Sequence, residues 1–145
     1  MGMLFSRKQY KFLDRLFFCL PVIRQVMAER KNRNVSEAMA SEDPTARTAI
    51  AGMAPEVLER WGDALLETLG LDSWDEWEIW FGKNRYRNEY FRLAKDGFIL
   101  SRYVAKDSPE QTCARIHISI STYWQWKRDT LTQLGFIAMR SGLKF

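Results

Sequence analysis

Residues 108–128 read Ser108-Pro-Glu-Gln-Thr-Cys-Ala-Arg-Ile-His-Ile-Ser-Ile-Ser-Thr-Tyr-Trp-Gln-Trp-Lys-Arg128. Three signals start a helix here. Ser108 offers a hydroxyl to the free amides of a first turn, Pro109 suits a first helical position, and Gln111 three residues on completes a capping box. Thr112, Cys113 and Ile116 then share one face. Cys113 is small enough to let two helix backbones cross closely. His117 and Ile118 form a turn, and Ser119 caps a second helix. The stretch therefore predicts two helices joined by a tight turn.

Helical spacing from Ile120 turns Tyr123, Trp126 or Lys127, Thr130, Leu131 and Leu134 toward a core. It leaves Ile120, Ser121, Thr122, Trp124, Gln125 and Arg128 outward. Hydroxyls and a helix N-terminus bind phosphate oxygens. Gln125 can pair bidentately with adenine, and Arg128 with guanine or a phosphate. A helix-turn-helix presents its second helix to the major groove with this kind of surface. The candidate DNA contacts are Ser119, Ile120, Ser121, Thr122, Trp124, Gln125 and Arg128, with Lys106, Arg115 and Lys127 holding phosphates. The competing reading is ordinary solvated surface, with Trp124 closing the edge of the core.

Upstream, Phe98–Val104 is expected as a supporting helix with Ile99, Leu100, Tyr103 and Val104 inward, and Gly135 as the stop of the second helix. The run from Leu100 to Leu134 is similar to region 4 of bacterial sigma factors, through Arg102-Tyr103-Val104, Ser108 and Ile118-Ser119-Ile120-Ser121-Thr122. Ser121-Thr122-Tyr123, followed by Trp126-Lys127-Arg128, resembles the phage-encoded ArpU/RinA-type transcriptional regulators, small proteins that switch on phage late genes. Ser41-Glu-Asp-Pro-Thr-Ala-Arg-Thr-Ala-Ile50 resembles an Asp-Pro-Thr-Ala segment in the N-terminal half of some of them. Two positions depart from the pattern. His117 stands where a glycine is usual, and Lys127 where sigma-like domains often bury a leucine, a packing role Trp126 can assume.

The chain has 145 residues, 46% of them hydrophobic, enough for one moderate core or two very small ones and too much for wholesale disorder. The apolar run Leu16–Ile23 is shorter than a membrane span, contains Pro21 and has no cleavage site after it, so it reads as a buried helix segment. Cys19 and Cys113 have no metal-ligand spacing and read as reduced core thiols of a cytoplasmic protein. The net charge of +4 is unevenly spread. Met1–Asn34 carries eight basic and two acidic residues, Val35–Gly82 two and eleven, and Lys83–Phe145 twelve and five. A basic C-terminal third suits counterion release from DNA, and the acidic middle should face away from it.

Elsewhere helices dominate. Arg7–Arg33 is one amphipathic stretch that Pro21 should kink or divide. Residues 32–43 read as a loop, and Asp43 or Thr45 caps a short helix through Ala51. Pro55 opens a helix to about Leu69 with Val57, Leu58, Trp61, Leu65, Leu66 and Leu69 inward, and Gly70 ends it. Ser73, with Glu76, caps the next, whose aromatic side is Trp74, Trp77, Trp80 and Phe81. Its acidic side is solvated, with docking to another protein as the alternative. After a break at Gly82, Tyr86–Ala94 is helical, and Gly97 is a bend or a tolerated interruption. The one alternating stretch, Ile116–Ser121, competes as a strand but is overruled by its caps.

The expectation is an all-α chain, with a helical N-terminal region (1–82) for oligomerisation or partner contact and a C-terminal sigma-region-4-like helix-turn-helix domain (83–145). No nucleophile–base pair, phosphate loop or zinc spacing presents itself, so neither an enzyme nor a cofactor is expected. The resemblance implies a sequence-specific transcriptional regulator in a bacterial or phage-infected cell. Its expected partners are double-stranded DNA, host RNA polymerase and further copies of itself, with no membrane. The alternatives are a small terminase subunit and a helical protein-interaction module.

Overall fold

The computed structural model describes residues 4–29, 52–76 and 94–145. Its elements are α1 (Arg7–Phe18), α2 (Leu20–Glu29), α3 (Pro55–Leu69), α4 (Ala94–Ile99) running on into a π-turn (Leu100–Val104), α5 (Pro109–Ile116) and α6 (Ile120–Arg140). Among the described residues there is no strand, and the architecture is all-α. No helix of theirs is long and apolar enough to cross a membrane.

α1 begins at Ser6, whose Oγ accepts from Gln9 N at 3.1 Å while Gln9 Oε1 accepts from Ser6 N at 2.8 Å. Phe5 lies just outside this cap and Tyr10 one turn in. Their rings meet edge-on at 5.7 Å, a hydrophobic staple that fixes how the chain enters the helix. The break expected at Pro21 falls two residues earlier, at Cys19 (φ −88°, ψ 0°). Pro21 has no N–H to give the Phe17 carbonyl and its ring would clash there, whereas it needs no donor in a first turn. The chain therefore restarts at Leu20 with Pro21 inside the first turn of α2.

α3 has the expected limits. It closes at Gly70 (φ 75°), with Gly70 N bonded to Glu67 O at 3.0 Å and Leu71 N to Leu66 O at 2.9 Å. Ser73 accepts from Glu76 N as expected, although the Glu76 carboxylate reaches back to Asp72 N rather than to the cap residue itself. Trp74 packs against the core, while Trp77, Trp80 and Phe81 lie outside the described residues. So do the expected loop at 32–43, the short helix through Ala51 and most of Tyr86–Ala94. Gly97 is buried inside α4, which passes it without a bend.

Gly135 does not stop α6. The helix continues to Arg140 and closes at Gly142 (φ 80°), with Gly142 N bonded to Met139 O and Leu143 N to Ala138 O. Gly135 instead faces Phe5, and a Cβ there would fall 2.5 Å from its ring. The residue is small because an aromatic ring from the N-terminus occupies the space.

α6 is the central element. Tyr123, Thr130, Leu131, Leu134, Ile137 and Ala138 bury one side of it along its whole length. α3 packs on it, joined also by Arg140 to Glu67 and by Arg60 to the Ser141 carbonyl. α1 and α5 pack on it as well. The buried residues of the helices, with Trp61, Tyr103, Tyr123, Phe17 and Phe98 the largest, form one cluster.

Candidate nucleic-acid interface

The Ser108–Arg128 stretch takes its form from local signals. Ser108 Oγ accepts from Gln111 N at 3.1 Å and Gln111 Oε1 from Ser108 N at 2.8 Å. α5 ends with His117 in the left-handed region (φ 59°, ψ 51°) and Ile118 N bonded to Cys113 O at 3.1 Å. This is the closure found at Gly70 and Gly142, with a histidine in place of glycine. Ser119 is extended, and its Oγ accepts from Thr122 N at 3.1 Å to start α6.

A buried polar brace sets α5 against the π-turn. Ser101 Oγ donates to Asp107 Oδ2 at 2.7 Å and lies 2.9 Å from Thr112 Oγ1. Arg102 donates to the Asp107 carbonyl at 2.8 Å. Arg115 meets the same carboxylate through Nε at 2.8 Å and Nη2 at 3.3 Å. The Ser101, Asp107, Thr112 and Arg115 side chains satisfy one another, the condition for a buried polar group to rigidify a fold, while Arg102 Nε is buried with no hydrogen-bond partner among the described residues.

The first half of α6 presents the expected side. Ile120, Ser121, Trp124, Gln125 and Arg128 are exposed, with Ile120 and Trp124 each at 47%. Thr122 is half-buried, because its Oγ1 accepts from the Ser119 hydroxyl at 2.9 Å. Ser119 and Ser121 hydroxyls lie 3.2 Å apart. Trp126 and Lys127 share the inward place between them, both half-buried. Asp129 follows Arg128 and is exposed, so an acidic group borders this side.

The three residues expected to hold phosphates have partners inside the molecule. Arg115 is paired with Asp107, with 45% of its side chain exposed. Lys106 donates to the Phe18 carbonyl and lies over the Phe18 ring at 4.8 Å. Lys127 pairs with Asp14 at 3.6 Å and lies over the Trp124 ring at 5.0 Å. Burial, aided by the charge of Glu110, pushes the Cys113 thiol up, which favours its protonated form.

Arg7 and Tyr10 were not among the expected site residues. They join Trp124, Lys127, Arg128 and Leu131 around a cleft of about 290 Å³ between α1 and α6. A hydrogen bond of 2.8 Å between Tyr10 Oη and Thr132 Oγ1 helps hold the two helices together there. The sequence signal was the cation-rich start of α1, but its neighbour in space is more than a hundred residues away.

No protein-family profile, curated protein or solved structure matches this chain.

Proposed function

We propose that the chain is a sequence-specific DNA-binding transcriptional regulator of phage type, reading the major groove with the first turns of α6. One observation carries this reading: Ile120, Ser121, Gln125 and Arg128 are exposed together on the N-terminal half of a capped helix, behind a turn that a buried brace holds rigid. An amide and a guanidinium are the side chains that pair bidentately with purine edges, and rigid elements give base readout its precision. The resemblance of Ser121–Arg128 to the ArpU/RinA-type regulators points the same way, as does the cationic C-terminal third.

The test is a fluorescence-anisotropy titration of the full chain against duplexes enriched from a random pool, repeated across a salt series. Binding should weaken steeply with salt. Gln125→Ala should relax the preference between enriched and scrambled duplexes. Arg128→Ala should cost about 1–3 kcal/mol if its contact is to a base. Binding that is absent on every duplex, or insensitive to salt, would favour a protein-interaction module.

A further inference from the structure

We infer that the cleft between α1 and α6 is a second, sequence-independent anchor for the same duplex, in which Arg7 holds a backbone phosphate, the charge of Arg128 reinforces it and the Trp124 ring covers the adjoining sugar. The inference rests on the DNA-binding reading above and extends it to the N-terminal helix.

The cleft has the chemistry of an anion site. Two arginines line it with an exposed indole over a floor that includes Leu131, and among the described residues no carboxylate is in its walls. Neither Arg7 nor Arg128 makes an ion pair among the described residues. A guanidinium is the side chain whose planar fork matches phosphate oxygens. Asp14, which pairs with the cleft residue Lys127 at 3.6 Å, also accepts from the Tyr103 hydroxyl at 2.7 Å. The indole is fixed, with Tyr123 edge-on at 5.0 Å and the Lys127 ammonium over its face.

The larger cavity on the other side of Arg128, about 600 Å³, lacks this character. Glu67 and Asp129 line it beside Phe136 and Arg140, so a phosphate there would meet two carboxylates. The position of the smaller cleft selects a duplex over a free anion. Trp124 and Arg128 also belong to the exposed side of α6, so a strand leaving that side passes the cleft mouth.

The experiment compares the wild type with Arg7→Gln, Arg7→Lys and Lys8→Gln on an enriched and a scrambled duplex across a salt series. Lys8 is exposed on the same helix and outside the cleft, so its variant controls for net charge. Arg7→Gln should lower affinity by the same factor on both duplexes and reduce the slope of log K against log salt by about 0.9, the increment of one lost phosphate contact. Arg7→Lys should restore most of the slope, and Lys8→Gln should change it far less. Circular dichroism should show unchanged helicity in all three.

If Arg7→Gln matches Lys8→Gln while Gln125→Ala still relaxes sequence preference, the anchor is wrong and the DNA reading stands. If the wild type binds no duplex, both fall. Inorganic phosphate that perturbs tryptophan fluorescence in the wild type but in neither Arg7→Gln nor Trp124→Phe, with the DNA salt slope unchanged, would make the cleft a free-anion site and overturn the proposal.

Discussion

The Asp107 carboxylate meets the Arg115 guanidinium twice, at 2.8 and 3.3 Å, across the loop that leads from the π-turn into α5. The same carboxylate accepts the Ser101 hydroxyl, so one side chain ties together the π-turn, the loop and the end of α5. Asp107→Ala strands the Ser101–Thr112 pair in the interior. The expected cost is about 1–3 kcal/mol, below that of a fully buried pair because Arg115 can re-enter water. Asp107→Asn, which still accepts from Ser101, should lose less. Urea unfolding midpoints order the three proteins.

Two buried tyrosines should respond oppositely to loss of their hydroxyls. Tyr103 Oη donates to Asp14 at 2.7 Å, so Tyr103→Phe should cost about 1–2 kcal/mol. The Tyr123 hydroxyl is buried with no hydrogen-bond partner among the described residues, so Tyr123→Phe should be neutral or stabilising. Burial raises the Tyr123 pKa from 10.0 to about 12 and pushes Tyr103 up as well. The unfolded chain therefore loses these protons first. Their contribution to stability is complete below pH 10.0 and falls as the pH climbs toward 12. Tyr123→Phe should flatten part of that alkaline decline in a pH series of unfolding curves.

Gly135→Ala places a methyl 2.5 Å from Phe5 Cε2 and 2.7 Å from Cζ. In an open helix this change gains about 1 kcal/mol. Here overpacking should turn the gain into a net loss of roughly 1–2 kcal/mol as Phe5 is driven from its ring cluster with Tyr10, Phe136 and Phe145. The loss should vanish when Phe5→Ala is already present. A double-mutant cycle on melting temperature measures that coupling.

His117 holds a left-handed conformation that glycine adopts without strain. His117→Gly should raise stability by about 0.5–1 kcal/mol, since the gain in the turn exceeds the added freedom of the unfolded chain. Its DNA affinity should be unchanged, because residue 117 is not among the proposed contacts. Thermal melts and anisotropy titrations report the two quantities independently.

Local signals were the legible part of this chain. The caps at Ser108 and Ser119, the start at Pro55 and the stop at Gly70 all depend on residues within four positions of one another, and each took the expected form. The outward side of α6 followed from helical spacing alone. Gly135 was misjudged because its meaning lies in Phe5, far away in sequence, and Arg7 and Tyr10 were missed for the same reason. The expected phosphate holders were chosen by charge, whereas Asp107, the Phe18 carbonyl and Asp14 become their partners only when the helices pack.

The π-turn at Leu100–Val104 holds one residue more than an α-helical turn would. Five residues at this wider winding turn through about the angle of four in an α-helix, so the extra residue leaves the two flanks in phase. Phe98 is thereby held edge-on between Tyr103 at 5.8 Å and Tyr123 at 5.4 Å. Deleting one residue and restoring ordinary winding should keep Phe98 inward, whereas one more inserted residue, swinging everything upstream by about 100°, should carry it out of the interior.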